Sequence, residues 1–261
     1  MRTPWQLRVP AAVAAAFLVL PLVALLFRVP WLHLPDLFRE PIVGEALRLS
    51  LLCATIAALL AAVTGIPLAW LLARSTGRLT GLVRALVTVP LVLPPVVGGV
   101  ALLSAFGRRG LLGKPIDVVF GFSLPFTPFG VIVAETFVAL PFLVLTVEGA
   151  FRTLDDGYGE AAATLGASPW FAFRRVVLPM MAPALLAGTV LAWARALGEF
   201  GATITFAGNS PGRTQTMPLA VYLAMERDPD AASALSLVML VVCVVVLALL
   251  RGRWLTTGSA A

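Results

Sequence analysis

The amino-acid sequence predicts an all-α polytopic membrane protein with six transmembrane helices in a single domain, residues 1–261. Three observations predict it. The composition is 60% hydrophobic and 12% charged, with mean hydropathy +0.98, where soluble domains carry about 25% charged residues. A hydrocarbon core takes about 20 apolar residues per helix, and the chain has six apolar runs near that length. Its basic residues stand singly or in pairs around those runs, the usual pattern at membrane flanks.

The first run, 9–27, lies behind Arg2 and Arg8. It is longer than the ~7–15-residue core of a signal peptide and no small-x-small cleavage site precedes Arg28, so it reads as an anchor. The second run is 46–73. The third, 82–106, carries Pro90, Pro94, Pro95, Gly98 and Gly99. Proline removes a backbone donor and glycine loosens a helix. Broken backbone at membrane depth is tolerated where it is buried or lines a cavity. Residues Val92 to Val100 are therefore expected beside the gate, with simple kinked packing as the alternative. The fourth run is 130–147 with Pro141 inside, the fifth 179–206, and the sixth 231–250, ending at Arg251 and Arg253.

Six crossings put both termini on one side. That side holds ten basic residues: Arg2, Arg8, Arg74, Arg78, Arg84, Arg152, Arg174, Arg175, Arg251 and Arg253. The other holds eight: Arg28, Arg39, Arg48, Arg108, Arg109, Lys114, Arg213 and Arg227. The excess favours cytoplasmic termini.

The net charge of +6 contains no block of four or more Lys/Arg, so a nucleic-acid patch is not expected. Cys53 and Cys243 fall inside apolar runs and read as small buried residues. With His33 the only histidine, a His/Cys zinc site is not expected. No G-x-x-x-x-G-K-[ST] phosphate loop and no H-E-x-x-H pair occur, so the chain is read as neither an ATPase nor an intramembrane metalloenzyme. An ion-coupled carrier is the rival from another class. It would more often carry an internal repeat, and none is evident.

The most informative polar stretch is 152–178. Asp155 or Asp156 can cap a helix over 158–165. Gly166 suits the left-handed residue that ends it. Ser168-Pro169 then reads as the N-cap and first position of a second helix, with Trp170, Phe171 and Phe173 on its apolar side and Arg174-Arg175 toward water or headgroups. By helix chemistry alone this is an amphipathic loop on a membrane surface.

The spacing says more. Glu160-Ala161-Ala162, three residues, Gly166, nine residues, then Val176-Val177-Leu178-Pro179 resembles the cytoplasmic coupling loop (the EAA motif) of ABC-importer permeases, with Val176 where the family usually has Ile. The runs 89–99, 107–113, 195–209 and 211–222 are similar to molybdate/tungstate permease subunits, whose near relatives are sulfate/thiosulfate permeases. The resemblance covers residues 46–250. It implies a type I importer fold in a bacterial or archaeal cytoplasmic membrane. It further implies two copies of a separate ATPase contacting Glu160, Ala161, Ala162, Gly166, Leu178 and Pro179. ATP and Mg would sit on that partner, with no cofactor on this chain. A second, identical permease copy and a periplasmic binding protein for a tetrahedral oxyanion complete the implied assembly, which transports molybdate or tungstate, with sulfate/thiosulfate as the alternative.

Charges inside runs are functional candidates. At about 100° per residue, Ala184, Gly188, Ala192, Arg195, Ala196 and Glu199 share an arc of about 120°. The small residues suit close helix packing, so Arg195 and Glu199 are expected to face the bundle interior. They either neutralise each other and lock helices, or Arg195 supplies positive potential along an anion path. Glu135 and Glu148 are expected as interhelical or interfacial partners. The polar segment 203–216, with Thr203, Thr205 and Asn209, could replace oxyanion hydration weakly enough for release, or be a plain turn region.

Overall fold

The structure is a computed structural model and describes residues 5–155 and 157–255. Arg2 and Asp156 lie outside the described residues. Among the described residues there are only helices and connecting segments. In chain order these are α1 (Trp5–Arg28), α2 (Leu34–Arg39), α3 (Pro41–Arg74), α4 (Arg78–Val92), α5 (Pro95–Phe106), α6 (Gly113–Phe120) and α7 (Pro128–Arg152). They continue with α8 (Gly157–Thr164), α9 (Pro169–Ala172), a π turn (Phe173–Val177), α10 (Leu178–Leu197), α11 (Gly201–Ala207), α12 (Met217–Arg227) and α13 (Pro229–Leu255).

Five stretches are long and apolar enough to cross a membrane as continuous helices: Gln6–Arg28, Pro41–Arg74, Pro128–Arg152, Pro169–Leu197 and Pro229–Val246. The third apolar run is not one helix. It divides into α4 and α5 at Leu93-Pro94, where both residues take extended ψ values of 133°. The cause is local: a residue before proline is pushed out of the helical region, and here Pro94 and Pro95 follow in succession. Pro95 then serves as the first residue of α5, where its missing N–H costs nothing.

The fifth run also differs from one helix over 179–206. Its helix ends at Leu197, and Gly198 to Phe200 separate it from α11. Glu199 thus stands beyond the helical arc that its spacing suggested. At the other end the fold joins α9, the π turn and α10 without interruption. Pro179 lacks an N–H and its ring collides with the carbonyl four residues back. A wider π turn immediately before it absorbs that misfit.

The centre of the bundle is α3 against α7 and α10. Along α3 the buried residues Ala46, Ser50, Cys53, Ala54, Ala57, Ala61, Gly65, Ala69 and Leu72 recur every three or four positions, which brings one narrow face to the interface. A Cβ on Gly65 would stand 2.8 Å from Leu143 Cδ2, and one on Gly188 2.9 Å from Val147 Cγ2. The backbones therefore approach as closely as glycine permits. In contrast α1 has no buried side chain among the described residues, with Leu25 alone half-buried, and packs against α13.

Polar pairs pin the two ends. Ser50 Oγ on α3 accepts the backbone N–H of Met217 at 2.7 Å, fixing the start of α12. At the opposite end Glu148 of α7 holds Arg84 of α4 and Arg152, each at 2.8 Å. Glu148 is thus the interhelical partner expected of it. Glu135 differs: it is 1% exposed, and its Oε2 has no hydrogen-bond partner among the described residues. Cys53 is buried and Cys243 partly so, both as free thiols.

Candidate functional site: a bent surface loop and two facing helix breaks

The loop after α7 folds from local signals. Asp155 Oδ1 accepts the N–H of Gly157 at 2.9 Å and starts α8. Gly166 sits at φ 83°. The N–H of Ala167 reaches Ala162 O at 3.0 Å and that of Gly166 reaches Ala163 O at 2.9 Å, the paired bonds of a Schellman C-cap. Ser168 Oγ accepts the N–H of Phe171 at 3.3 Å, with Pro169 at the first helical position. The result is helix, bend, helix. Phe173 turns inward onto Trp70, which also meets Phe151 and carries Arg74 over its ring. This aromatic cluster ties the loop to the ends of α3 and α7.

The outer side is uncovered. Tyr158, Leu165, Trp170 and Phe171 are exposed apolar side chains. Between α8 and α9 runs an open groove of about 740 Å³, with Tyr158, Ala161, Ala162, Leu165, Gly166, Phe171 and Val176 among its walls. The opposite side of α8 presents Gly159 and Ala163 to Trp70 and Leu154 around a second space of about 320 Å³. Helical spacing puts the exposed Glu160 on the remaining face. Leu178 is half-buried and Pro179 exposed at the start of α10.

At the other candidate region the structure brings the two helix breaks together. α11 packs on α5. A Cβ on Gly99 would lie 2.6 Å from Thr205 Cβ, one on Gly201 2.7 Å from Pro95 Cβ, and one on Gly98 3.2 Å from Phe137 Cε1. Pro94 is exposed beside this contact. Thr205 Oγ1 donates to Gly201 O at 2.9 Å, within its own helix.

Arg195 Nη2 pairs with Glu199 Oε2 at 2.6 Å. Glu199 Oε1 accepts the N–H of Ala202 at 2.8 Å. One carboxylate therefore bridges the last turn of α10 and the first turn of α11, satisfying a helix-start donor that would otherwise be orphaned. A cavity of about 110 Å³ opens beside it, lined by Pro90, Leu91, Leu93, Pro95, Gly98, Phe137, Val138, Phe142 and Arg195. The guanidinium lies 5.9 Å from the Phe142 ring centre.

Pro95, Gly98 and Arg195 thus line one cavity, with Gly99, Glu199 and Thr205 in the packing around it. Thr203 and Asn209 do not line it. Thr203 is fully buried, and neither Thr203 Oγ1 nor Asn209 Oδ1 has a hydrogen-bond partner among the described residues. Residues 203–207 of this segment belong to α11, and 210–215 form a compact turn. Ser210 O accepts from the N–H groups of Arg213, Thr214 and Gln215, and Thr214 Oγ1 accepts from Ser210 N. Sequence reading missed Phe137 and Phe142. They sit in a run of α7 that is apolar all round, so no periodicity marks them.

No group of three or more His, Cys, Asp or Glu able to hold a metal occurs among the described residues.

Residues 65–255 match the model of the family described as binding-protein-dependent transport system inner membrane component. The molybdenum transport system permease protein ModB of Mycobacterium bovis is 48% identical over 243 residues, 93% of this chain and 92% of its own length. The sulfate transport system permease protein CysT of Escherichia coli is 38% identical over 85% of this chain and 82% of its own. A crystal structure of a bacterial alginate ABC transporter, in complex with an alginate-bound periplasmic protein, shares the fold with TM-score 0.74. It covers 94% of this chain and 91% of its own at 16% identity. The fold is thus shared with a transporter only 16% identical in sequence. With its breaks, its loop and its family match in agreement, this chain belongs to the binding-protein-dependent transport system inner membrane components, the membrane-spanning permeases of ABC importers.

Proposed function

We propose that this chain is the permease subunit of an ATP-driven importer of molybdate, with tungstate as an equivalent substrate by shape and charge. The observation that carries the coupled-importer reading is the bent loop. Its apolar side chains stand uncovered beside a groove of about 740 Å³ at one end of a membrane bundle. Such a patch on a monomer marks a docking surface, and the sequence carries no phosphate loop of its own. A separate ATPase, binding ATP and Mg, docks there in two copies. The chain binds no cofactor and performs no covalent chemistry. The loop therefore faces the cytoplasm, as do both termini, and the chain sits in the cytoplasmic membrane. A periplasmic binding protein delivers the oxyanion to the opposite end.

The membrane assembly is a homodimer. α4 has no buried residue, and with α5 it presents Leu82, Leu86, Val89, Val96, Val97 and Val100 outward. A segment broken at membrane depth needs protein or a cavity around its freed backbone, and a second copy supplies it.

The substrate rests on the 48% identity to a molybdenum permease; the 38% identity to a sulfate permease supports sulfate as the second reading. The test is uptake of labelled molybdate, tungstate and sulfate into proteoliposomes holding this chain, its ATPase and its binding protein. ATP-dependent molybdate uptake that excess sulfate does not suppress is expected. Sulfate uptake exceeding molybdate uptake transfers the assignment to sulfate, and ATP-independent uptake removes the importer reading.

A further inference from the structure

The cavity between the two helix breaks has a composition that neither the loop nor the bundle core explains. Of the nine residues that line it, eight are apolar or glycine, Pro90, Pro95, Gly98, Phe137 and Phe142 among them, and the ninth is Arg195, whose side chain is 26% exposed. We propose that this cavity is a transit site for the oxyanion inside the permease, with Arg195 as its ligand; the inference rests on the oxyanion-importer reading above.

The chemistry is that of weak, oriented anion binding. Guanidinium carries five N–H donors and matches oxyanions in a planar fork. Among the described residues, Glu199 and the Phe142 ring are the partners of this one, and the ion pair engages Nη2. The remaining donors are free to meet a ligand entering the cavity. Glu199 in turn is 1% exposed, with one oxygen on Arg195 and the other on the N–H of Ala202. It holds the cation in place and weakens its field without itself lining the cavity. A carrier needs that balance, because an unneutralised arginine in a low-dielectric site would bind a dianion too tightly to release it. The volume, about 110 Å³, is several times the share of one water, about 30 Å³. It accommodates one tetrahedral oxyanion with little water.

The position adds a second argument. Pro95 lines the cavity while Gly201, first residue of the helix after the second break, touches Pro95. Any motion that separates α5 from α11 therefore opens or closes the cavity directly. The mouth of the site and the place where two interrupted segments can slide are the same place.

The test uses the whole reconstituted importer. Arg195→Glu combined with Glu199→Arg keeps an ion pair across the break but exchanges the signs. A transit role predicts that molybdate uptake falls at least tenfold, while ATP hydrolysis stimulated by the loaded binding protein shows that the complex is assembled. Uptake at the wild-type level in this swapped variant overturns the proposal, since position 195 beside the cavity would then carry a carboxylate in place of the cation. Because the swap also removes the acceptor of the Ala202 N–H, a loss of uptake counts for the site only together with the Gly98 variant below. Should the swapped chain fail to assemble, Gly98→Val decides. Its Cβ would stand 3.2 Å from Phe137 Cε1, and its two methyls add bulk at the cavity wall. Blocked uptake with retained ATP hydrolysis supports the site, and undiminished uptake overturns it. The wild-type complex is the reference: if it takes up no oxyanion at all, the importer reading itself has failed.

Discussion

Gly99 of α5 and Thr205 of α11 lie so close that a Cβ on the glycine would stand 2.6 Å from the threonine Cβ, and 3.0 Å from the carbonyl oxygen of Ala202. Backbone on one side of that contact cannot rotate away. Gly99→Val is therefore expected to push α5 off α11. Overpacking of this kind costs about 1–3 kcal/mol, and the two helix breaks lose register. Gly44→Ala is the matched control, because a Cβ there meets nothing within 4 Å and alanine favours the helix by up to about 1 kcal/mol. Thermal unfolding of the purified complex should drop for the first and hold or rise for the second. Equal melting temperatures would mean that the contact is looser than drawn.

Much of this arrangement was legible in the sequence, for identifiable reasons. Helices α3, α7 and α13 announce themselves by apolar length, and the bend at Gly166 and the restart at Ser168 by capping chemistry that acts within four residues. The break at 198–200 was hidden. Apolar residues resume directly beyond it, and the restart is held by Glu199, an acid more readily read as part of the helix arc. Nor could spacing along one stretch of sequence reveal that Phe137 and Phe142 line the same cavity as Arg195, since that depends on how α7 rotates against α10. The split of the third run is visible in the sequence as the Pro94-Pro95 pair, whose local backbone restriction interrupts the helix.

Glu148 supports a second prediction. It is 5% exposed and carries two arginines, Arg84 at 34% exposure and Arg152 at 51%. Glu148→Ala leaves both without the carboxylate. Breaking a fully buried pair costs about 3–5 kcal/mol, and the partial exposure of the arginines lowers this to roughly half. Arg152→Ala should cost under about 1 kcal/mol, because Arg84 still neutralises the acid and the exposed pair is worth little. The order of melting temperatures, Glu148→Ala well below Arg152→Ala, is the outcome to measure. The reverse order would place the load on the exposed arginine.

Ser50 makes a third. Its Oγ accepts the buried N–H of Met217 across 167 residues of chain. Ser50→Ala removes the acceptor without altering the packing volume much, so the N–H is left unsatisfied at about 1–3 kcal/mol. Because α12 is anchored there, amide hydrogen exchange should quicken at the start of α12 before it changes in α7. Exchange that rises uniformly over the bundle would mean global rather than local loosening.

The last prediction concerns the loop as a force-bearing element. Gly166 at φ 83° lets α8 end and α9 begin with both Schellman bonds made. Left-handed backbone costs a residue with a Cβ roughly 1–2 kcal/mol, least for Asn. Gly166→Val should therefore straighten or fray the bend and close the groove beside Tyr158 and Leu165. Gly166→Asn should retain most of it. Co-purification of the ATPase subunit reads the difference directly, and uptake should follow in the same order. Glu160→Lys leaves the backbone alone but reverses the charge on the exposed face of α8, so it should weaken ATPase binding while the melting temperature of the free permease stays put. If Gly166→Val and Glu160→Lys both kept full ATP-driven uptake, the loop would be an amphipathic surface feature, and the motor would have to dock elsewhere.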